Sequence, residues 1–246
     1  MFSIKEYFEL AKKEIDKAKE CERDNLIKAS KLMGDCMLEN GVVQLCGMGH
    51  GAAFQMELGY RAGGLMPFHQ FYIRDLAMRG IITNAELNDE DVENRTDLVD
   101  KFYQTYNIHQ KDMYLLVSHT GCEGLIVELA IRAKQEGRKV IAVVCKQALE
   151  SSKSLHPTKT KLDEYADVII DNHAPVHDTL FDVNGYKLGQ ISTITGNCLA
   201  QMLTAETYKY LKDGGHEAPV LLSANKAGAD VHNKALSDKY LDRWNS

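Results

Sequence analysis

The chain has 246 residues and a mass of 27.6 kDa, which suits one large domain or two small ones with ample material for a core. A formal charge of −6 supplies no basic field to recruit nucleic acid or an anionic membrane, and the longest apolar runs are too short to span a bilayer. Six cysteines stand scattered at 21, 36, 46, 122, 145 and 198 without a C-x-x-C pair, which fits reduced thiols in a cytoplasm and not a disulfide framework or a zinc site.

Residues 3–39 carry apolar side chains at helical spacing: Ile4, Phe8, Ala11, Ile15 and Ala18, then Leu26, Ala29, Leu32, Met33 and Cys36. The dense charge of this stretch leaves no apolar core for a signal peptide. Asn40-Gly41 stops it, so residues 1–40 are expected to pack as a helical segment on a domain spanning 41–246. "VVQLC" (42–46) predicts a short buried strand, followed by the turn "GMGHGA", a helix over 53–62 and a strand over 67–73. Residues 80–97 are acidic and Asn-rich and predict a surface loop. A helix over 96–108, a strand over 112–118, a helix from Cys122 to Gln135 and strands over 139–145 and 165–172 follow. Asn184-Gly185, central in 179–189, is a hairpin-turn signal. Residues 191–212 predict a long helix with few charges, and a short polar tail with a strand-like "PVLL" closes the chain.

Strands separated by helices of this length imply βαβ units and a parallel sheet covered on both faces, in one doubly wound α/β domain. Such sheets bind ligands at the carboxyl ends of their strands. Two turns lie at such ends. In "SHTGCE", Ser118 and Thr120 supply hydroxyls, Gly121 removes side-chain bulk, and the helix behind presents unpaired N–H groups that favour an anion such as phosphate. In "CGMGHGAAF", Gly47, Gly49 and Gly51 offer similar geometry. Thr120 and Glu123 also read as a capping box, but a cap needs neither Ser118 nor His119, and capping and binding can coexist. The first turn fits the dinucleotide fingerprint G-x-G-x-x-A as well, although the nearest ribose-binding acid, Asp75, is far along; an NAD(P)-dependent oxidoreductase is therefore the third reading.

Together the turns resemble those of the SIS (sugar isomerase) domain family of phosphosugar-binding proteins, over nearly the whole chain. "VVQLCGMGHGAAFQMELGYRAGGLMPF" is similar to the family's first strand, G-x-G-x-S turn and following helix, and "LLVSHTGCEGLIVELA" to its S-x-S-G signature. "YRAGGLMPF" and "LLSANKAGADVHN" look most like the stand-alone UPF0309 subgroup. The resemblance implies a five-stranded parallel sheet, homodimers or homotetramers, and a phosphorylated sugar or amino sugar as ligand. No cofactor and no metal is expected. The activities it implies are sugar-phosphate isomerisation first, then non-catalytic phosphosugar binding, or an etherase (lyase) reaction on a sugar phosphate. Gly51 stands where the family's Ser is usual, Thr120 replaces Ser, and Glu123 replaces Thr or another uncharged residue. A carboxylate at 123 repels phosphate unless it turns away into the capping box. No helix-turn-helix segment is read ahead of the domain, which argues against a DNA-binding regulator.

Isomerisation needs an anion clamp, a base and a ring-opening acid. Glu57, on the helix behind the first turn, is the base candidate, with an ion pair to Arg61 as its alternative role. His50 and His119 sit inside the two turns, where they can bond sugar hydroxyls, as can the backbone at Gly49 and Gly51. The polar tail offers Asn225 and Asp230 as ligand contacts and His232 as the acid/base group, reaching its own site or a neighbour's. In "DNHAPVHD", His173 and His177 are four apart with Asp171 and Asp178 to complete a site, but Pro175 opposes the helix that would align them on a metal, and the plainer reading is a strand end and turn lining the ligand cleft. The sparsely charged helix 191–212, with Ile191, Ile194, Cys198, Leu199, Met202 and Leu203 on one stripe, predicts a homo-oligomer.

Overall fold

The structure, a computed structural model, describes residues 3–244. Two helices open it, α1 (Ile4–Cys21) and α2 (Arg23–Leu38). The sheet strands are β1 (Val43–Gly47), β2 (Phe68–Phe71), β3 (Met113–Val117), β4 (Val140–Val144) and β5 (Val168–Asp171), and they are all parallel in the order β2-β1-β3-β4-β5. Between them run α3 (Ala52–Leu58), α4 (Ile73–Met78), α5 (Asn84–Leu87), α6 (Leu98–Thr105), α7 (Gly124–Gln135) and α8 (Lys146–Ser151). A hairpin of β6 (Thr179–Val183) and β7 (Tyr186–Gln190) leads into α9 (Ser192–Asp213), then α10 (Ala229–Lys239) and α11 (Leu241–Trp244). No helix among the described residues is long and apolar enough to cross a membrane.

The central strands are continuous apolar runs because both faces are covered. Met113, Leu115 and Val117 of β3 face a core shared with α2, α3 and α9, and Tyr114 and Leu116 face one shared with α6 and α7. Strand order reverses direction between β1 and β3, so a crevice opens beyond their carboxyl ends. Gly47 and Val117 are register partners there, which sets the two turns side by side.

The helix expected over 53–62 stops at Leu58. Gly59 follows with extended backbone, and a Cβ there would lie 2.4 Å from the Gln70 side chain. The tail, read as a polar loop, is helical from Ala229 to Lys239. Few apolar residues mark it, and its hold is tertiary: Asn233 clamps the N–H and C=O of Leu222, each at 2.8 Å. Arg243 is buried and pairs with buried Asp112, which also accepts from Val42 N, Gln44 Nε2 and His109 N.

Candidate functional site

The first turn is tight enough to demand glycine. A Cβ on Gly47 would lie 2.4 Å from the Gly51 carbonyl oxygen, and Gly49 has φ +51°. Gln55 of α3 reaches back to brace it: its Oε1 accepts from Gly47 N at 2.7 Å and its Nε2 donates to Phe71 O at 3.0 Å. Glu93, from the acidic loop, accepts from Gly49 N at 2.8 Å.

The second turn is wider than the capping box anticipated. Gly121 sits at φ +64°, which prolongs the turn so that α7 begins at Gly124 and Glu123 is its N-cap, not its third residue. The Glu123 carboxylate therefore makes no cap and folds back over the turn. It accepts from Ser118 Oγ at 2.5 Å, Thr120 Oγ1 at 2.9 Å and Cys122 N at 3.2 Å. Buried Ser118 also accepts from Gly121 N at 2.7 Å, so its hydroxyl both shapes the turn and holds the carboxylate. The expectation that Glu123 turns away into a capping box is overturned, and its cause is the later helix start.

Between the turns lies a cleft lined by His50, Gly51, Ser118, His119, Asn172 and Ser192, with Phe54, Val117 and Val143 beneath. Its enclosed volume is only about 20 Å³, and the rest of the cleft lies open to solvent. The His50 and His119 rings are neighbours, tilted by 55° with centroids 5.7 Å apart. His119 Nε2 lies 3.0 Å from Val176 O, and because a carbonyl only accepts, that nitrogen carries the proton. His119 Nδ1 is then the basic nitrogen of the neutral ring; it is buried and without a partner. His50 Nε2 lies 3.7 Å from Asp178, whose other oxygen caps α9 by accepting from Ile191 N and Ser192 N. The Ser192 hydroxyl is buried and likewise unpartnered. A basic nitrogen, a second histidine backed by a carboxylate and a free hydroxyl can move protons on a small polar ligand. Burial raises the Cys122 and Cys145 thiols above their ordinary pKa, which keeps both as poor nucleophiles near this site.

Other residues singled out from the sequence lie elsewhere. Glu57 pairs with Arg61 and bonds Gln201, beside a groove between α1, α2 and α9 and not in the cleft. His232 is exposed on α10 and bonds Val220 O at 2.9 Å. The neighbouring Leu221 packs with Val42 and Met66, at the amino end of β1. The turns lie beyond the carboxyl end of that strand, roughly 16 Å further for five residues, so within the chain His232 is not brought to them. Asn225 and Asp230 are exposed on the same tail. His173 is drawn to buried Glu22 at 2.9 Å, tying β5 to the α1–α2 joint, and His177 is exposed. Asp75 accepts from the Tyr106 hydroxyl at 3.0 Å. Asn172 lies in "DNHAPVHD", whose plainer reading as a turn lining the cleft agrees with its position; Glu93, Ser192 and Thr193 carry no motif, and only the fold gathers them.

Comparison with known proteins decides the family. A family model for the SIS domain matches residues 6–145, more than half of the chain. The chain belongs to the SIS domain family. Within it, the chain is 30% identical over 224 residues to a UPF0309 protein of Halalkalibacterium halodurans, covering 89% of this chain and 88% of that one. It is 29% identical over 243 residues to a UPF0309 protein of Geobacillus thermodenitrificans, covering 98% and 96%. Among solved structures, a phosphoheptose isomerase from Neisseria gonorrhoeae is similar at a TM-score of 0.54 and 15% identity, over 82% of this chain and 95% of that one. One from Francisella tularensis is similar at 0.52 and 16%, over 82% and 96%. At such identity the likeness is one of fold.

Proposed function

We propose that this SIS domain protein binds a phosphorylated sugar or amino sugar in the cleft between its two turns and isomerises it by acid/base proton transfer. The observation that carries the reading is the pairing of His119, with its unpartnered buried Nδ1, and His50, backed by Asp178, across one crevice. Aldose–ketose exchange moves a carbon-bound proton between adjacent carbons and a hydroxyl proton between their oxygens. His119 Nδ1 takes the carbon-bound proton and returns it to the neighbouring carbon, while His50 relays the hydroxyl proton, its charge offset by Asp178. Membership of the SIS family and the fold shared with phosphoheptose isomerases support a phosphosugar as ligand.

The test is incubation of the purified protein with hexose and heptose 6-phosphates and amino-sugar phosphates in D2O, followed by proton NMR. Loss of the C2 proton signal together with a new sugar isomer is the expected result, and His119→Gln should slow it by a hundredfold or more. Binding without exchange or product makes the domain a phosphosugar sensor instead, and appearance of an unsaturated product makes it a lyase.

We also propose that the protein is a homodimer joined through the groove beside α9. Ile27, Ile194 and Met202 stand exposed around a groove of about 860 Å³, with Lys19 and Arg23 on the α1–α2 wall and Glu206 beside Lys209 on α9. A two-fold related copy can cover those apolar groups and pair the opposite charges.

A further inference from the structure

In both turns, groups able to take an anion are held by this chain's own side chains. Glu93 holds Gly49 N at 2.8 Å in the first turn. In the second, Glu123 holds the hydroxyls of Ser118 and Thr120 and the N–H of Cys122, while Asn94 holds Gly124 N at 3.3 Å. Glu93 and Asn94 are consecutive residues of one acidic loop, so a single segment reaches both turns. No lysine or arginine lines the cleft among the described residues. Arg95, next to these residues, is committed to Glu86 and Asp97, and the Lys161 ammonium donates to Leu149 O. Two buried polar atoms in the cleft wall, Ser192 Oγ and His119 Nδ1, remain without a partner. The ligand's neutral polar groups thus have waiting partners, while the two hydroxyls that would take its anion are already held.

We infer that Glu123 is an internal anion occupying the hydroxyl cradle, and that it sets how strongly this site takes a phosphorylated ligand. A phosphate enters only by displacing the carboxylate from Ser118 and Thr120. That costs the three bonds Glu123 makes, and the displaced charge stays on the same turn, where it repels the incoming dianion. The hydroxyl that a Thr would offer at position 123 is absent, so the carboxylate both fills the cradle and removes one of its donors. Glu123 is a specificity-determining residue, and Glu93 reinforces it from the facing turn. This inference rests on the reading of the cleft as the ligand site, and it concerns the anion and not the sugar.

The test compares inorganic phosphate and glucose 6-phosphate binding by the full chain, Glu123→Thr and Glu123→Gln, using isothermal titration calorimetry in a phosphate-free buffer. Far-UV circular dichroism and thermal melting check that each variant folds. Removing the charge should tighten inorganic phosphate binding at least tenfold in Glu123→Thr, with a smaller gain in Glu123→Gln, which keeps an acceptor in the cradle. Affinity for unphosphorylated glucose should stay within about twofold. Equal phosphate affinity in the full chain and both folded variants, including no detectable binding by any of them, overturns the inference. If Glu123→Thr gains phosphate but no sugar phosphate binds better than phosphate itself, the internal anion stands and the sugar-site reading falls. If the unaltered chain binds glucose 6-phosphate tightly and neither variant improves on it, the sugar-site reading stands and the internal anion falls.

Discussion

Ser118 and Thr120 both donate to Glu123, yet their removal should cost very different amounts. Ser118 is buried, and its single oxygen accepts from Gly121 N while donating to the carboxylate. Ser118→Ala orphans a buried amide, which costs about 1–3 kcal/mol, and deletes a hydrogen bond to a charged group, worth about 1.5–3 kcal/mol. Glu123 keeps Thr120 Oγ1 and Cys122 N, so part of the second loss is recovered, and the total is about 2–4 kcal/mol. Thr120 is only half-buried, and water can replace its hydroxyl, so Thr120→Ala should cost about 1 kcal/mol. Against a typical stability of about 5–15 kcal/mol the first loss is large and the second small. Urea unfolding followed by circular dichroism, with unchanged slopes, measures both. If Ser118→Ala is no more destabilising than Thr120→Ala, the Ser118 hydroxyl does not hold the turn and the geometry argued for the cradle is wrong.

Three further outcomes follow from contacts outside the turn. Arg243→Met leaves Asp112 buried without its cation and should lower stability by about 3–5 kcal/mol; an unchanged urea midpoint would show that the chain end is not docked through this pair. Burial, with smaller contributions from Arg243 and Arg79, pulls the His69 imidazole down to about 4. The unfolded chain then takes up a proton below about pH 6.5 that the folded chain refuses until about pH 4. Stability should therefore fall by about 3 kcal/mol as pH drops through that window, and His69→Gln should flatten the slope; an identical slope in the variant refutes it. Light scattering should give twice the 27.6 kDa chain mass, and Met202→Lys with Ile194→Lys should return it to one; a monomer without substitution rejects the groove as an interface.

The parallel sheet was legible because burial on both faces writes itself as uninterrupted apolar runs such as "YLLV" and "VIAVV", bounded by helical spacing on each side. Asn184-Gly185 marked the hairpin because both residues take left-handed backbone, at φ 53° and 85°. The tail was misread for the opposite reason. Of the residues in α10, only Ala229 is buried, so no apolar stripe announces the helix, and its stability comes from partners distant in sequence. The helix after the first turn was read too long because its stop is a close approach between Gly59 and Gln70, a contact that no local pattern records.

The candidate site divides along the same line. Ser118, Thr120 and Gly121 were visible because their chemistry is contiguous. The groups that complete the cleft, Asn172, Asp178 and Ser192, stand 50 or more residues further on, and converge only because β5 and the start of α9 end at the same edge of the sheet. Glu123 shows why contiguity misleads as well as informs. The pattern T-x-x-E describes a capping box only if the helix begins directly after the threonine. One glycine in left-handed backbone delays that start, and the same four letters then build an acceptor aimed at the hydroxyls it was expected to avoid. Hydroxyls and N–H groups gathered at a turn attract a carboxylate for the same electrostatic reason that they attract phosphate. A turn of this composition is therefore evidence of an anion, and whether that anion is a ligand or the chain itself is decided by the one residue that can reach it.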